Sequence, residues 1–270
     1  MNTERTPPVA MTIAGSDSGG GAGIQADLAT FASLQVFGTS AITALTAQNT
    51  TGVQAIYAVP ASFVVEQVRS VTRDIYVRAA KTGMLASAEI IKCVAELVAG
   101  GELPPPVVDP VMVSASGSVL LPKDAIATLA AELIPNSTIV TPNANEAALL
   151  TGIELHTERD MEEAARRLWE MGARAALVKG GHLSGDDSVD VFFDGSGFAH
   201  LRAPRIDTLN THGTGCTLSA AIAAGLARGL DIFTACEAAK RYVTRAIHGA
   251  RSWGIGRGNG PINHFDTEGT

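Results

Sequence analysis

Short apolar runs of strand length alternate with segments of helical spacing along nearly the whole chain. The first run, residues 9–14, ends in glycines and is followed by residues 24–34, where apolar side chains recur on one helical face. Such alternation is typical of a doubly wound, mostly parallel β-sheet with helices on both faces. Because the chain has neither a linker nor an internal repeat, we expect one α/β domain over residues 1–270, with loose tails at about 1–8 and 255–270.

The same pattern places the remaining elements. It predicts strands at residues 39–45, 77–80, 106–109, 138–140, 175–178, 188–193 and 198–203, and helices at 60–71, 86–98, 123–133, 158–171, 214–228 and 232–252. In doubly wound sheets, ligands bind beyond the carboxyl ends of the strands. Five unusual segments fall there, so we expect them to form one site: 15–23, Gln48, Asp109, 143–146 and 179–181.

Composition and charge exclude several classes of protein. The net charge is −7 and no run of like charges occurs, whereas a nucleic-acid-binding protein normally carries a basic stripe. The three cysteines form no C-x-x-C pair, which argues against a disulfide framework and a structural zinc site. The sequence contains neither a stretch of ~20 apolar residues nor a signal-peptide pattern, so it predicts no membrane span and a cytoplasmic location.

A glycine-rich loop follows the first predicted strand. Gly21-x-Gly23-x-x-Ala26 fits the dinucleotide fingerprint, but no acidic residue between Asp27 and Glu66 is available to bind a ribose, so we reject NAD binding. The loop is either a tight strand-to-helix turn or a backbone that closes over a small ligand, with Asp27 in the first turn of the helix. Four glycines in five positions favour the ligand. No P-loop motif is present either.

The strongest local signal is the segment Asn210-Thr211-His212-Gly213-Thr214-Gly215-Cys216-Thr217, directly before an Ala-rich helix. Glycines at a helix start let successive N–H groups converge on an anion, and the helix dipole adds to this attraction. Phosphoryl transfer needs such donors where charge spreads over the transferring group. The alternative is an ordinary helix start that is capped by Thr214.

Together with this loop, seven further segments occur in an order that resembles a known family. They are residues 12–19, 21–27, 46–50, 81–85, 108–112, 141–147 and 178–182. The ordered set resembles the ribokinase-like superfamily, and Gly-Thr-Gly-Cys, where most of that superfamily ends in Asp, is similar to its hydroxymethylpyrimidine and phosphomethylpyrimidine kinases of thiamine synthesis. The resemblance runs from about residue 9 to residue 251.

The resemblance implies a ribokinase-like fold and a two-step kinase. The expected reaction is ATP-dependent phosphorylation of 4-amino-5-hydroxymethyl-2-methylpyrimidine and then of its monophosphate. The alternative is a pyridoxal or pyridoxine kinase on the same scaffold. The implied cofactors are ATP and Mg²⁺, with room for a monovalent cation, and a homodimer is expected. A non-catalytic regulator would have no need of a metal-and-base set, and a thiol-based redox or acyl-transfer enzyme would need a resolving cysteine or an oriented triad.

The resemblance also implies roles around the phosphate. Backbone N–H groups of Gly213, Thr214, Gly215 and Cys216 would hold the transferring group, and we expect Cys216 to accept the substrate's proton, because a helix N-terminus lowers a thiol's pKa. Two alternatives for Cys216 are a buried structural cysteine and a nucleophile with His212 as its base. The expected ATP contacts are Lys179, which is otherwise a solvated strand-end lysine, and Thr211.

Metal and substrate residues complete the expected site. Asp109 and Glu146 are suited to Mg²⁺, and Asn143 resembles a metal-linked position that is also a candidate helix cap. The matching substrate positions are Gln48, whose amide pairs a donor with an acceptor, and Gly15, Asp27, Met84 and Val111. Met84 and Val111 alone would be read as ordinary core. One departure is the sequence Val-Ser-Ala-Ser-Gly at 113–117, since many family members carry a lysine there that bears on the second substrate.

Overall fold

The computed structural model describes residues 6–113, 120–181 and 186–265. Its strands are β1 (Val9–Ser16), β2 (Phe37–Asn49), β3 (Gly52–Ala58), β4 (Ala79–Thr82), β5 (Val107–Val108), β6 (Ile139–Val140), β7 (Ala176–Lys179), β8 (Asp187–Phe193) and β9 (Phe198–Pro204). Its helices are α1 (Gly23–Ser33), α2 (Ala61–Thr72), α3 (Ala88–Ala99), α4 (Lys123–Thr128), α5 (Ala144–Thr151), α6 (Glu158–Glu170), α7 (Thr214–Ala227) and α8 (Ile232–Ala250).

All these strands belong to one nine-stranded sheet in the order β3-β2-β1-β4-β5-β6-β7-β8-β9. From β2 to β7 neighbouring strands are parallel, whereas β3 at one edge and β8 and β9 at the other are antiparallel. The predicted doubly wound, mostly parallel sheet is therefore confirmed. Parallel strands joined by helical crossovers bury both faces, which explains why the central strands read as continuous apolar runs.

Two hydrophobic cores lie on opposite faces of the sheet. The larger contains buried residues of α2, α3, α4 and α6, such as Val64, Ile91 and Leu168. The smaller is formed by α1, α7 and α8 and contains Phe31 and the Ala-rich body of α7. The small side chains of α7 let its backbone lie close to the sheet, so the N-terminus of α7 is held at the carboxyl ends of β1, β4 and β5.

Strand register brings the candidate segments to one edge of the sheet. Thr82 of β4 pairs with Val108 of β5, and Val108 pairs with Val140 of β6. The residues that follow these strands, including Asp109 and Thr141, therefore leave the sheet side by side. The ends of these three strands are therefore adjacent, at the edge of the sheet where the sequence predicts a shared site.

Three elements differ from the sequence prediction. β3 was not predicted, because it has weak alternation and exists as an edge strand only through its pairing with β2 after a tight turn. The eight-residue α5 was not predicted as a helix either, although Asn143 was recognised as a candidate cap. The predicted helix at 123–133 is α only to Thr128 and continues as a π turn, Leu129–Leu133, and a 3₁₀ turn, Ile134–Asn136.

The segment after α8 is better ordered than a loose tail. The Asn259 N–H donates to the Thr50 carbonyl at 3.1 Å, and the Asn263 N–H donates to the Ala246 carbonyl at 3.0 Å. The outer parts of the expected tails at 1–8 and 255–270, namely residues 1–5 and 266–270, lie outside the described residues, as do residues 114–117 of the departure at 113–117 and the motif residue His182. None of the helices within the described ranges combines the length and the apolar character that a membrane span requires.

Candidate active site

A cavity of about 790 Å³ opens at the carboxyl ends of the parallel strands. Its walls come from the glycine-rich loop after β1, from the ends of β2, β4, β5 and β7, from the start of α5, and from the loop that enters α7. The predicted site residues that line it are Gly15, Gln48, Met84, Asp109, Val111, Asn143, Glu146, Lys179, Thr211, Gly213, Thr214, Gly215 and Cys216. Asp27 alone among the predicted residues is absent from the wall.

The entry to α7 is built as an anion-binding loop. Gly213 is the N-cap residue with a left-handed φ of 82°, and within the described residues no side chain caps this helix. Thr214, the expected cap, instead donates its hydroxyl to the Thr211 carbonyl at 2.7 Å. Helix-start N–H groups that lack a side-chain partner and face a cavity are available to an anion. The capping alternative for Thr214 is therefore wrong.

Gly213 also has no room for a side chain, and this gives a testable consequence. A Cβ on Gly213 would overlap the Gly21 carbonyl oxygen of the glycine-rich loop. We expect Gly213→Ala to displace the loop donors and to lower kcat by about 10²-fold, the loss typical of one misplaced oxyanion donor. Steady-state kinetics at saturating substrate measure it.

Gly229→Ala is the matched control for this variant. Gly229 has a similar φ of 92°, but its added Cβ would meet no atom within 4 Å. Gly229→Ala has the same free-energy cost of placing an alanine at positive φ, but it leaves the anion-binding loop unchanged. If Gly229→Ala lost as much activity as Gly213→Ala, backbone strain rather than loop geometry would explain the loss.

The thiol of Cys216 differs electrostatically from the sequence expectation. Burial raises the pKa of Cys216 to about 11, and the positive charge of Lys81 only partly opposes this effect. The expected lowering by the helix N-terminus is therefore outweighed, because desolvation disfavours the thiolate. In this structure Cys216 is a neutral thiol at neutral pH, and a thiolate forms only as the pH rises or as positive charge is added nearby.

Behind the anion-binding loop lies a buried ion pair that the sequence analysis missed. Lys81 Nζ contacts both carboxylate oxygens of Asp27, at 3.0 and 2.9 Å, and both residues are 0% exposed. The Thr12 hydroxyl donates to the same carboxylate at 2.6 Å. Asp27 therefore has its partners inside the protein, and the expected direct hydrogen bond from substrate to Asp27 does not agree with this placement. Lys81, not Asp27, reaches the cavity wall.

A signal for this pair was present in the sequence. Ile24, Asp27 and Phe31 follow one another at helical spacing, so the carboxylate shares the buried face of α1. A buried carboxylate requires a partner of opposite charge. Lys81, in a short strand next to β1, is such a partner, but only the sheet order makes the two neighbours.

Asp109, Glu146 and Lys179 come together beside the anion-binding loop. Lys179 Nζ lies 2.9 Å from Asp109 Oδ1, and a Cβ built on Gly215 would lie 3.2 Å from the same Nζ. Burial raises the pKa of Glu146 to about 7, with Lys179 opposing the shift and Asp109 adding to it. The alternative of a solvated Lys179 does not agree with this placement, since the lysine is paired at the cavity wall beside the loop.

The carboxylate oxygens of Asp109 and Glu146 would bind a metal ion only together with other ligands. Within the described part of the chain, no group of three or more His, Cys, Asp and Glu side chains is arranged to hold a metal. Two carboxylates remain suitable for Mg²⁺, which keeps several waters and takes further ligands from phosphates. Asn143 caps α5, because its Oδ1 accepts the Glu146 N–H at 3.0 Å while Glu146 Oε2 accepts the Asn143 N–H at 2.8 Å. A direct metal contact by Asn143 stays a prediction.

The other end of the cavity offers a polar amide between apolar walls. Gln48 Oε1 accepts the Thr46 hydroxyl at 3.2 Å, which orients the carboxamide. A Cβ on Gly15 would lie 2.7 Å from the terminal methyl of Met84, so these two walls are in close contact. Val111 also lines this end. The arrangement can hold a flat heterocycle by one amide and apolar contacts.

Comparisons with known proteins show which family the chain resembles. The profile of the family described as phosphomethylpyrimidine kinase matches residues 17–263. A hydroxymethylpyrimidine/phosphomethylpyrimidine kinase of Streptomyces coelicolor is 51% identical over 96% of this chain and 95% of its own length.

Two solved structures are also similar. A pyridoxal kinase of Bacillus subtilis in complex with ADP has a TM-score of 0.88 and 38% identity, covering 96% of this chain and 98% of its own. A phosphomethylpyrimidine kinase of Clostridium difficile has a TM-score of 0.79 and 42% identity, covering 89% of this chain and 99% of its own.

Proposed function

The chain belongs to the phosphomethylpyrimidine kinase family, and on that premise we propose that it phosphorylates 4-amino-5-hydroxymethyl-2-methylpyrimidine and then its monophosphate at the expense of ATP. The observation that carries the proposal is one cavity with three parts. It joins an anion-binding loop that ends in Cys216, a cluster of Lys179 with two carboxylates, and an amide-lined slot at Gln48. The product is an intermediate of thiamine diphosphate synthesis.

Phosphoryl transfer in this cavity relies on position and charge. The N–H groups of the anion-binding loop would stabilise the charge that spreads over the transferring group. Lys179 lines the same cavity and would contact the phosphates of ATP. Cys216 lies at the end of this loop and lines the same cavity as Gln48. We assign the substrate proton to the thiolate form of Cys216, which becomes a thiol as the hydroxyl oxygen attacks the γ-phosphate and ADP leaves.

Magnesium is the metal that suits this donor set. Asp109 and Glu146 would hold it, and the repulsion between their buried carboxylates would be relieved by a divalent cation. When bound, Mg²⁺ neutralises charge on the phosphates. The chain itself supplies the loop N–H groups, the lysine and the walls that exclude water.

A second candidate function is pyridoxal kinase activity. The likeness to the pyridoxal kinase of Bacillus subtilis favours it, because the two backbones agree over nearly the whole chain. Gln48 favours the pyrimidine, because a carboxamide presents a donor and an acceptor side by side to a ring nitrogen and an exocyclic amine.

The test is a pair of parallel incubations. Wild-type protein with Mg-ATP and either hydroxymethylpyrimidine or pyridoxal is followed by product mass. We expect mono- and then diphosphorylated pyrimidine, and a higher kcat/KM for the pyrimidine than for pyridoxal. Absence of any phosphorylated pyrimidine would contradict the proposal, and a monophosphate alone would restrict it to the first step.

Gln48→Leu tests the origin of this preference. Removing the amide leaves the amine and ring nitrogen of the pyrimidine without partners, and unpaired polar groups in a binding site cost about 1–3 kcal/mol. We expect KM for the pyrimidine to rise about tenfold or more, with the effect on pyridoxal smaller. Equal losses for both substrates would show that Gln48 shapes the cavity without selecting the ring.

The homodimer and the cytoplasmic location that the resemblance implies also stay part of the proposal. Leu45, Ile56 and Tyr57 of the edge hairpin β2–β3 are 48%, 44% and 70% exposed. Apolar residues clustered on a surface are commonly covered by association.

A further inference from the structure

The carboxylate of Asp17 organises the glycine-rich loop. Its Oδ1 accepts the Gly19 N–H at 2.8 Å, and its Oδ2 accepts the N–H groups of Gly21 and Ala22 at 3.2 and 2.9 Å. Asp17 is 3% exposed. Three backbone donors converging on one buried carboxylate fix the shape of a loop whose glycines would otherwise leave it flexible.

His212 ties this loop to the anion-binding loop. Its Nε2 lies 2.8 Å from Asp17 Oδ2, although the two residues are 195 positions apart in the chain. Burial works to raise the pKa of Asp17, but the hydrogen bonds from His212 and the loop amides outweigh it and hold that pKa below its usual value. Asp17 is therefore a carboxylate, so the His212 Nε2 carries the proton and donates it.

His212 also contacts the segment after α8, the Gln48 side chain and the glycine-rich loop. Its backbone N–H donates to the Gly260 carbonyl at 3.0 Å, which joins the segment after α8. Gln48 Nε2 lies 3.4 Å from the same ring nitrogen, a packing contact between two donors and not a hydrogen bond. A Cβ on Gly21 would lie 2.5 Å from the His212 ring, so the loop approaches the ring as closely as a backbone can. The His212 side chain thus contacts the Gln48 amide and the glycine-rich loop, and His212 directly precedes Gly213.

We propose that His212 and Asp17 are positioning residues that fix the substrate end of the cavity relative to the anion-binding loop. Their hydrogen bond links the part of the cavity at Gln48, where the ring would be held, to the start of α7, where the phosphoryl group would be held. This inference rests on the proposed function for its substrate, but the pair itself is a property of the fold. The role of nucleophile-activating base, an alternative weighed for His212, has no support in the contacts, because within the described residues no hydrogen bond joins the His212 ring to the Cys216 thiol.

Three variants test the pair. His212→Leu removes the donor, His212→Gln keeps a donor at similar reach, and Asp17→Asn weakens the acceptor. We expect His212→Leu to lower kcat for the pyrimidine about 10²-fold, as misplaced reactants do, while KM for ATP and Tm stay close to wild type. We also expect more than one ADP per phosphorylated product, because a misaligned hydroxyl lets water compete for the γ-phosphate.

Two further outcomes separate positioning from a merely structural role. His212→Gln should recover most of kcat, because it keeps a donor to Asp17, whereas Asp17→Asn should lose at least as much as His212→Leu, because its NH2 group also faces a backbone N–H of the loop. His156→Leu, an exposed histidine outside the cavity, is the control and should behave as wild type. A His212→Gln as impaired as His212→Leu, or a one-to-one ratio of ADP to product in His212→Leu, would overturn the inference.

Hydrogen exchange keeps this test independent of the substrate. In His212→Leu we expect faster exchange of amides in residues 16–24 and 209–216, with α6 unchanged. Unchanged exchange in both loops would overturn the inference even if the enzyme acts on the expected pyrimidine. A wild type that phosphorylates no pyrimidine would instead sink the proposed function, and the exchange result would still decide whether the pair joins the two loops.

Discussion

Replacing Cys216 by alanine is expected to lower kcat by ~10²–10⁴-fold, the range that general acid–base catalysis contributes. The expectation follows from the place of Cys216 at the end of the anion-binding loop and at the cavity wall. Binding of ATP, measured by calorimetry, should change little, because the loop backbone is retained. A Cys216→Ala enzyme with near-wild-type kcat would exclude proton transfer to this thiol.

The pH dependence gives a second check on Cys216. Burial raises the pKa of the thiol to about 11, so the thiolate fraction grows about tenfold with each pH unit below that value. If the thiolate accepts the proton, kcat/KM should rise with pH in the alkaline range. Cys216→Asp is the matched variant: aspartate is already ionised there, so it should retain part of the turnover and show a flat profile. A flat wild-type profile would contradict the thiolate as the acceptor.

Lys81→Met is expected to reduce the free energy of unfolding by about 3–5 kcal/mol, since it leaves the Asp27 carboxylate buried without its counter-charge. Both partners are fully buried, and within 3.0 Å of Lys81 Nζ lie both oxygens of Asp27. Urea unfolding followed by circular dichroism measures the change. Activity should fall as well, because Lys81 is the positive charge that opposes the raised pKa of Cys216.

Two variants make this prediction specific. Arg69→Met breaks a pair of similar length, 2.8 Å to Glu102, but on an exposed surface, where ion pairs contribute little to stability. The double variant Lys81→Met/Asp27→Leu removes both charges and should recover much of the loss, since apolar replacements of a buried pair are often neutral. A Lys81→Met protein no less stable than Arg69→Met would show that Asp27 does not depend on its counter-ion.

The elements that the sequence predicted well are those with strong local patterns. α3, α6 and α8 were placed within two residues at each end, because their apolar faces repeat with helical spacing and their caps are local. β3 and the turns after α4 were missed for the opposite reason. An edge strand depends on its neighbour, and the change from α to π and 3₁₀ geometry depends on how the helix end packs.

The site residues also divide into those with a local sequence signal and those whose roles depend on distant partners. Residue type and place in the strand–helix pattern were enough to assign the glycines before α7, Asp109 after β5 and Lys179 after β7. All of these residues line one cavity in the structure. The missed groups, Lys81 and the Asp17–His212 pair, gain their roles only from distant partners. The wrong expectation for the Cys216 pKa has a related cause, since a helix N-terminus can be read locally whereas burial cannot.

The sequence by itself determined the doubly wound fold, the edge of the sheet where the site lies and the anion-binding loop, because each depends on short-range periodicity and on backbone freedom at glycine. Only the tertiary structure decided which charges are buried and with whom they pair. Lys81 and Asp27 are 54 positions apart, and His212 and Asp17 are 195 apart, so nothing local specifies either contact. Desolvation and ion pairing depend on atoms that the fold brings together, and these interactions set the electrostatics of the site.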